Sequence, residues 1–405
     1  MILKALKALA RDCRIGLSYT YCRLCRSGLK KDGLQSGSSV AIVRPDLIGD
    51  FVLATPFLHH VRSLYPRSRI TLVGNESWRE LALWLNDNPI VSGKAGMFDE
   101  FDGIRPALLT RFREFSRTAR QLAAFDTIVY FTCSRTNSVD KLVALAGGET
   151  IGCAGNNANI ARLQNRRNQR RYDILIPNPE SILELARNAD FIASLAEVVG
   201  TSAPIAVEPS PPRWTIPADL MEESLSDLAV REQIDLHAPV VAVSPFSSVV
   251  LKDWPLTSYA FLIARIHETH PELQVVVLGG QDDAARPMPF PHADWLVDLR
   301  GRTSLVELVN LIARAWLSVS GDTAAAHIAS AVGTHNVTVL GGGQYGRFFP
   351  YPSPFDGVEN VTVAHEMRCY QCNWFCKFRL WRDAPAPCVS RIPVDAVHEQ
   401  VAGLL

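Results

Sequence analysis

The 405-residue chain has no excess of either charge, since 41 Lys and Arg stand against 41 Asp and Glu. That balance excludes a chain-wide attraction to nucleic acid, and no such partner is expected; any electrostatic argument has to come from local clusters. The chain also lacks an apolar run of the roughly 20 residues that span a bilayer. Lys4, Lys7, Arg11 and Arg14 interrupt what would otherwise read as the apolar core of a signal peptide. A cytoplasmic location is the expectation. The nine cysteines are an odd number in a long chain without an export signal, which favours reduced thiols or a metal site over a disulfide framework. Short internal repeats and low-complexity tracts are missing as well. What is present is 47% hydrophobic, enough for two or three packed domains.

Residues 1–37 hold eight Lys and Arg against Asp12 and Asp32, with Leu3, Leu6, Leu9, Ala10, Cys13 and Leu17 recurring between them at helical spacing. This reads as a basic amphipathic extension that either lies on an anionic membrane surface or packs on the core. Strand-like runs then alternate with helical ones: strand 40–44, turn 45–50, helix 51–65 ended by Pro66, strand 70–73, helix 78–85 and strand 127–131. The alternation resumes with strand 239–245, helix 258–270, strands 274–278 and 295–299, a helix capped by Ser304 and Glu307, a strand ending at Gly321, and strand 337–340. Five prolines in the stretch 203–217 disfavour regular structure and mark the boundary. The expected organisation is the 1–37 extension, a Rossmann-like domain over 38–205, a second over 218–392, and a C-terminal helix over 393–405. Such parallel α/β sheets bind ligands at the carboxyl ends of their strands, and two of them would face a cleft.

The candidate chemistry sits in the loops at those ends. Gly49 and Asp50 close the first turn, where Asp50 is either a plain N-cap or a carboxylate able to take a proton from a hydroxyl. Ser247, Lys252 and Trp254 follow strand 239–245, and Asp283 lies in the loop after Gly279 and Gly280. Asp322 and Thr323 open an Ala-rich helix with His327 one turn further on. Free N–H groups and the helix dipole there suit an anion, although Asp and Thr are also ordinary caps and a lone His is often structural.

In order along the chain, Arg44-Pro-Asp-Leu-Ile-Gly-Asp50 with Thr55-Pro56, Lys252-x-Trp254-Pro255, Gly279-Gly280, Leu299-x-Gly301-x-Thr303-Ser304-Leu305 and Gly321-Asp322-Thr323-x-x-x-His327 resemble glycosyltransferase family 9, the ADP-heptose:lipopolysaccharide heptosyltransferases. The resemblance runs from about residue 40 to 350. It implies a GT-B fold and inverting sugar transfer with Asp50 as base. Ser247, Lys252, Asp322, Thr323 and His327 then fall on the donor side, with Asp283 a ribose or base contact. Family members usually carry Gly after the Thr, where this chain has Ala324, whose methyl group would stand close to the donor. The chain has no Asp-x-Asp, which agrees with a transferase that stabilises the leaving diphosphate by protein cations and helix dipoles and needs no cofactor for the chemistry.

Two basic clusters, Arg162, Arg166, Arg167, Arg170 and Arg171, and Arg105, Arg111, Arg113, Arg117 and Arg120, suit either solvent or an anionic glycolipid acceptor. Arg44, Arg162, Arg166 and Arg167 are the acceptor-side candidates. Cys369, Cys372, Cys376 and Cys388 have spacing suited to a structural tetrathiolate site for zinc or iron, with unligated thiols as the alternative. The expectation is a glycosyltransferase acting on the inner membrane surface with an ADP-heptose donor. The alternatives are a non-catalytic glycan- or nucleotide-sugar-binding relative and a GT-B-like sugar-nucleotide epimerase.

Overall fold

The computed structural model describes residues 2–24, 39–200, 207–290, 293–351, 358–378 and 384–405. Residues 25–37 of the expected extension, Pro204 and the side chains of Lys4, Lys7, Leu3, Leu6 and Leu9 lie outside what is described. The chain divides into two compact units, residues 1–87 with 96–210, and residues 88–95 with 211–405.

In the first unit the elements run α1 (Ile2–Leu24), β1 (Ser39–Arg44), α2 (Ile48–Leu64), β2 (Arg69–Asn75), α3 (Arg79–Asp87), β3 (Glu100–Ile104), α4 (Phe112–Leu122), β4 (Thr127–Tyr130), α5 (Asn137–Val143), β5 (Glu149–Cys153), α6 (Arg162–Gln169), β6 (Ile174–Ile176) and α7 (Glu184–Val199). The second unit continues with α8 (Ala218–Glu232), β7 (Val240–Ser244), α9 (Leu256–Thr269), β8 (Gln274–Val277), α10 (Gln281–Ala284), β9 (Leu296–Asp298), α11 (Leu305–Arg314), β10 (Leu317–Gly321), α12 (Ala324–Val332), β11 (His335–Leu340), β12 (Asn360–Ala364), α13 (Pro387–Ser390) and α14 (Val394–Ala402).

Each unit has one six-stranded parallel sheet, ordered β3-β2-β1-β4-β5-β6 in the first and β12-β11-β10-β7-β8-β9 in the second. The central strands are buried along their length, as their Val- and Ile-rich runs require of a sheet covered on both faces. In both sheets the winding reverses at one pair of neighbours, β1 with β4 and β7 with β10. Loops leaving the carboxyl ends of these pairs diverge and leave room for a ligand.

Several elements differ from the sequence reading. The first of these is α2, which begins at Ile48 after an N-cap at Leu47, so Gly49 and Asp50 belong to the helix's first turn and not to the preceding loop. Proline at position 56 inside α2 cannot donate to the Val52 carbonyl one turn back, and the Thr55 hydroxyl bonds that carbonyl instead at 2.8 Å. In the Pro-rich stretch Trp214 N–H donates to Ala331 O at 2.7 Å and Thr215 N–H to Ile90 O at 3.0 Å, which fastens residues 88–95 to the second unit. On α1, Ile15 and Ser18 are buried where the helix packs on α4 and α5, while Ala10, Cys13 and Leu17 are exposed. The stripe expected to be apolar is thus the outer face at these positions.

Candidate functional site

The loop after β1 is built around Arg44. Its guanidinium is fully buried, donates to Phe131 O at 2.7 Å and to Asp50 O at 3.1 Å, and pairs with Asp46 at 3.3 Å. It also lies 4.7 Å from the Phe131 ring centre. The Asp46 carbonyl accepts from Trp78 Nε1 at 3.0 Å and Asn75 Nδ2 at 3.2 Å, and Phe51 stacks on Trp78. These contacts fix the first turn of α2 and with it half-buried Asp50, beside the β1/β4 reversal. Enclosure gives Arg44 an internal task, so the acceptor-side assignment from the sequence is corrected: a side chain with no exposed surface has nothing to offer an acceptor. Arg162, Arg166 and Arg167 lie on α6 and are exposed.

Sequence reasoning missed the second polar group of this unit. In the loop after β4, fully buried Arg135 pairs with fully buried Asp140 at 2.8 Å and donates to Ala154 O and Asn165 Oδ1. Tyr172 and Asn168 complete the Asp140 shell at 2.6 and 2.8 Å. Burial pushes the Asp140 carboxyl up against the opposing pull of Arg135, Tyr172 and Asn168. This network ties α5, α6 and the end of β5 together, and no periodicity or motif in the sequence marks it.

In the second unit the β7/β10 reversal brings two sequence-predicted residues together. Lys252 Nζ donates to Asp322 Oδ2 at 2.9 Å and to Gln344 Oε1 at 3.3 Å, and lies 5.4 Å from the Trp374 ring centre. Lys252 keeps 16% of its side chain exposed, against 4% for Asp322. Thr323 is the N-cap of α12, yet its hydroxyl makes no capping bond. Among the described residues, the Thr323, Ser244 and Ser320 hydroxyls are buried without a hydrogen-bond partner, and Ser244 and Ser320 are direct neighbours across β7 and β10. Unspent hydroxyls, the first N–H groups of a helix and an ammonium therefore gather at the carboxyl edge of one strand pair.

His327, grouped with these residues from the sequence, is enclosed in the helix packing. Its Nδ1 lies 2.6 Å from Tyr351 Oη, and its ring stacks on Phe349 at 4.5 Å. Burial lowers its pKa to about 4, with Lys252 adding to the effect and Asp322 opposing it. The ring is neutral at pH 7.

Ser247 and Asp283 meet through residues that the sequence did not single out as site members. Ser247 N–H and Oγ both lie 2.8 Å from Asp253 Oδ1, and Arg286 pairs with Asp253 Oδ2 at 2.6 Å. Arg286 also faces Asp283 at 3.6 Å, while Asp283 Oδ2 accepts from Gly280 N–H at 2.9 Å. Both predicted residues are thus committed to the loops after β7 and β8.

Cys369, Cys372, Cys376 and Cys388 line one cavity with Tyr370, Trp374 and Gly342. Burial and the three neighbouring cysteines push the Cys388 thiol up. Four soft thiols are the right donors for zinc or iron. Among the described residues, however, no three His, Cys, Asp or Glu side chains close on a common point suited to a metal ion.

Residues 193–373 match the model of a protein family described as glycosyltransferase family 9 (heptosyltransferase). The chain is 26% identical over 184 residues to the lipopolysaccharide core heptosyltransferase OpsX of Haemophilus influenzae, covering 44% of this chain and 48% of OpsX. It thus spans about half the length of the curated relative it matches. A family 9 glycosyl transferase from Veillonella parvula superposes with a TM-score of 0.64 at 15% identity, covering 92% of this chain and 99% of that one. TibC of enterotoxigenic E. coli, an iron-containing dodecameric heptosyltransferase solved with ADP-D-β-D-heptose, superposes at 0.51 with 14% identity, covering 94% and 80%. The fold is the expected GT-B architecture of two doubly wound Rossmann-like units.

Proposed function

From this resemblance to glycosyltransferase family 9, we propose that the protein transfers a heptose or related sugar from an ADP-activated donor to a cell-envelope glycolipid such as the lipopolysaccharide core, with inversion. Asp50 takes the proton of the acceptor hydroxyl as that oxygen attacks the anomeric carbon from the face opposite the diphosphate. The sugar–phosphate C–O bond breaks, and ADP leaves with its electron pair. Lys252 and the α12 N-terminus balance the charge that develops on the diphosphate, and the Thr323 hydroxyl donates to it. The observation that carries this reading is the gathering of Lys252, Asp322 and Thr323, with their unspent donors, at the β7/β10 reversal.

Ser247 and Asp283 serve the donor side through the Asp253–Arg286 bridge, which sets the two loops. Exposed Arg162, Arg166 and Arg167 attract an anionic acceptor. The cysteine loop is a structural site for zinc or iron, its thiols drawing in around the ion. Fewer than one metal per several purified chains would remove that part of the reading.

No described helix is long and apolar enough to cross a membrane. Surface attachment is supported by an exposed apolar ridge of Leu17, Tyr21 and Phe112, with the two rings 5.1 Å apart, beside exposed Arg11, Arg14, Arg111, Arg113 and Arg120. Cosedimentation with anionic but not with zwitterionic vesicles tests it.

The test of function is a thermal-shift screen over ADP-, GDP- and UDP-sugars followed by turnover of the best binder. Stabilisation by ADP-heptose with release of ADP supports the transferase. Binding without any turnover favours the non-catalytic alternative, and turnover that alters the sugar while it stays on its nucleotide favours an epimerase.

A further inference from the structure

The loop carrying Cys369, Cys372 and Cys376 reaches the phosphate-side lysine through its other residues. Gln371, Asn373 and Trp374 hold φ of 61°, 48° and 62°, a left-handed region that non-glycine residues enter when their surroundings impose it. Here the imposing partner is the glycine turn after β11. Gln371 N–H donates to Gly342 O and Asn373 N–H to Gly343 O, each at 2.7 Å. The rings of Tyr370 and Trp374 press on the same turn so closely that a Cβ on Gly342 or Gly343 would stand 2.0 or 2.3 Å from them. This docking sets the Trp374 ring against Lys252 Nζ. It also lets Asn373 Oδ1 accept from Gln344 Nε2 at 3.1 Å, while Gln344 Oε1 accepts from Lys252.

The ammonium of Lys252 thus has three partners, of which Asp322 alone is charged. A ring face and an amide oxygen restrain a cation without neutralising it, so its charge stays available to an incoming diphosphate. We propose that Trp374, together with Asn373 acting through Gln344, positions Lys252 for the donor diphosphate. The inference rests on the reading of Lys252 as a diphosphate ligand. It gives the strained loop and the three consecutive glycines one purpose: they bring the cysteine loop close enough to hold a residue 122 positions earlier in the chain, from Lys252 to Trp374.

The experiment compares the full-length wild type with Trp374→Leu, Trp374→Phe, Gln344→Met and Lys252→Ala. Calorimetry gives the affinity for ADP and for adenosine, which lacks phosphates, and acetic anhydride labelling read by mass spectrometry gives the accessibility of the Lys252 amine. For Trp374→Leu the expectation is about tenfold weaker ADP binding, unchanged adenosine binding and several-fold faster labelling of Lys252. Trp374→Phe, which keeps an aromatic face, restores most of the ADP affinity. Gln344→Met, which leaves the loop's rings in place, shows the same pattern more weakly and stands in should Trp374→Leu misfold.

Unchanged Lys252 labelling in both Trp374→Leu and Gln344→Met overturns the inference whatever ADP does. So does equal loss of ADP and adenosine affinity, which marks a merely structural residue. Weaker ADP binding in Lys252→Ala alone also overturns it, while leaving the functional reading intact. If Lys252→Ala binds ADP as the wild type does, the reading of Lys252 as a diphosphate ligand fails first and the inference falls with it.

Discussion

The two parallel sheets follow the same winding, yet the polar groups at their carboxyl edges are used in opposite ways. At the first edge, Arg44 and Arg135 are fully buried and their guanidinium groups are spent on carbonyls and carboxylates of the same unit. At the second, Lys252 stays partly exposed, and the Thr323, Ser244 and Ser320 hydroxyls have no partner among the described residues. A buried cation with its hydrogen bonds made adds rigidity and specifies loop geometry, and it has nothing left for a ligand. An edge with donors to spare suits a ligand that brings its own negative charge. The first sheet therefore positions a single carboxylate, Asp50, and the second provides the cradle.

Arg135→Met breaks the comparison at its rigid end and has the largest expected effect. It leaves the Asp140 carboxylate buried without its cation, at a cost of about 3–5 kcal/mol. A denaturant titration should show that loss, while ADP affinity, a property of the other unit, stays within twofold. A parallel loss of ADP affinity would sink the division of labour.

His327 sharpens the comparison by marking the closed part of the second edge. Its folded pKa of about 4 lies below the unfolded value of 6.5, so the unfolded state takes up the proton first as the pH falls. Its contribution is fully present above about pH 6.5, is lost progressively as the pH drops toward 4, and then levels off. The expected loss is about 3 kcal/mol. Melting temperatures of the wild type and His327→Gln between pH 7 and 4 should converge toward the acid end. Parallel curves would mean that His327 does not titrate as described.

Lys252→Ala should weaken ADP binding by about 10- to 100-fold, since it removes a cation and leaves the Asp322 carboxylate facing the diphosphate. The effect should shrink as salt is raised, because the lysine is partly exposed. Salt-independent loss would point to damaged packing instead. The smallest effect is expected of Ala324→Gly at the first position of α12. It should cost at most about 1 kcal/mol of stability and change donor affinity by a few-fold. Nucleotide-sugar titrations at matched temperature would measure it, and an unchanged affinity would clear the Ala324 methyl group of any contact with the donor.

Much of the fold was legible because the central strands are continuous apolar runs and the α11 capping box announces itself as Ser304 and Glu307. The edges were not. β3 reads Glu-Phe-Asp-Gly-Ile and β6 is three residues long, so neither shows a strand's periodicity without its neighbour in place. The start of α2 was read three residues late because Ile48 and Gly49 carry no helix signal of their own; Arg44 and the Asp46 carbonyl, through their contacts with other elements, fix that turn. The same limit applies to the candidate site. Lys252 and Asp322 were each visible as loop residues, but their pairing, the Asp253–Arg286 bridge and the Trp374 brace join positions far apart in sequence, and side chains such as Arg286 and Trp374 look ordinary until the loops are folded.

The central claim is that Asp50 acts in the chemistry while the second unit holds the donor. The most direct measurement is ADP-heptose binding and turnover in the wild type and in Asp50→Asn, which keeps the shape of the side chain. The account predicts equal donor affinity, an unchanged melting temperature and turnover reduced by about 10²- to 10⁴-fold in the variant. Turnover by Asp50→Asn at the wild-type rate would contradict it.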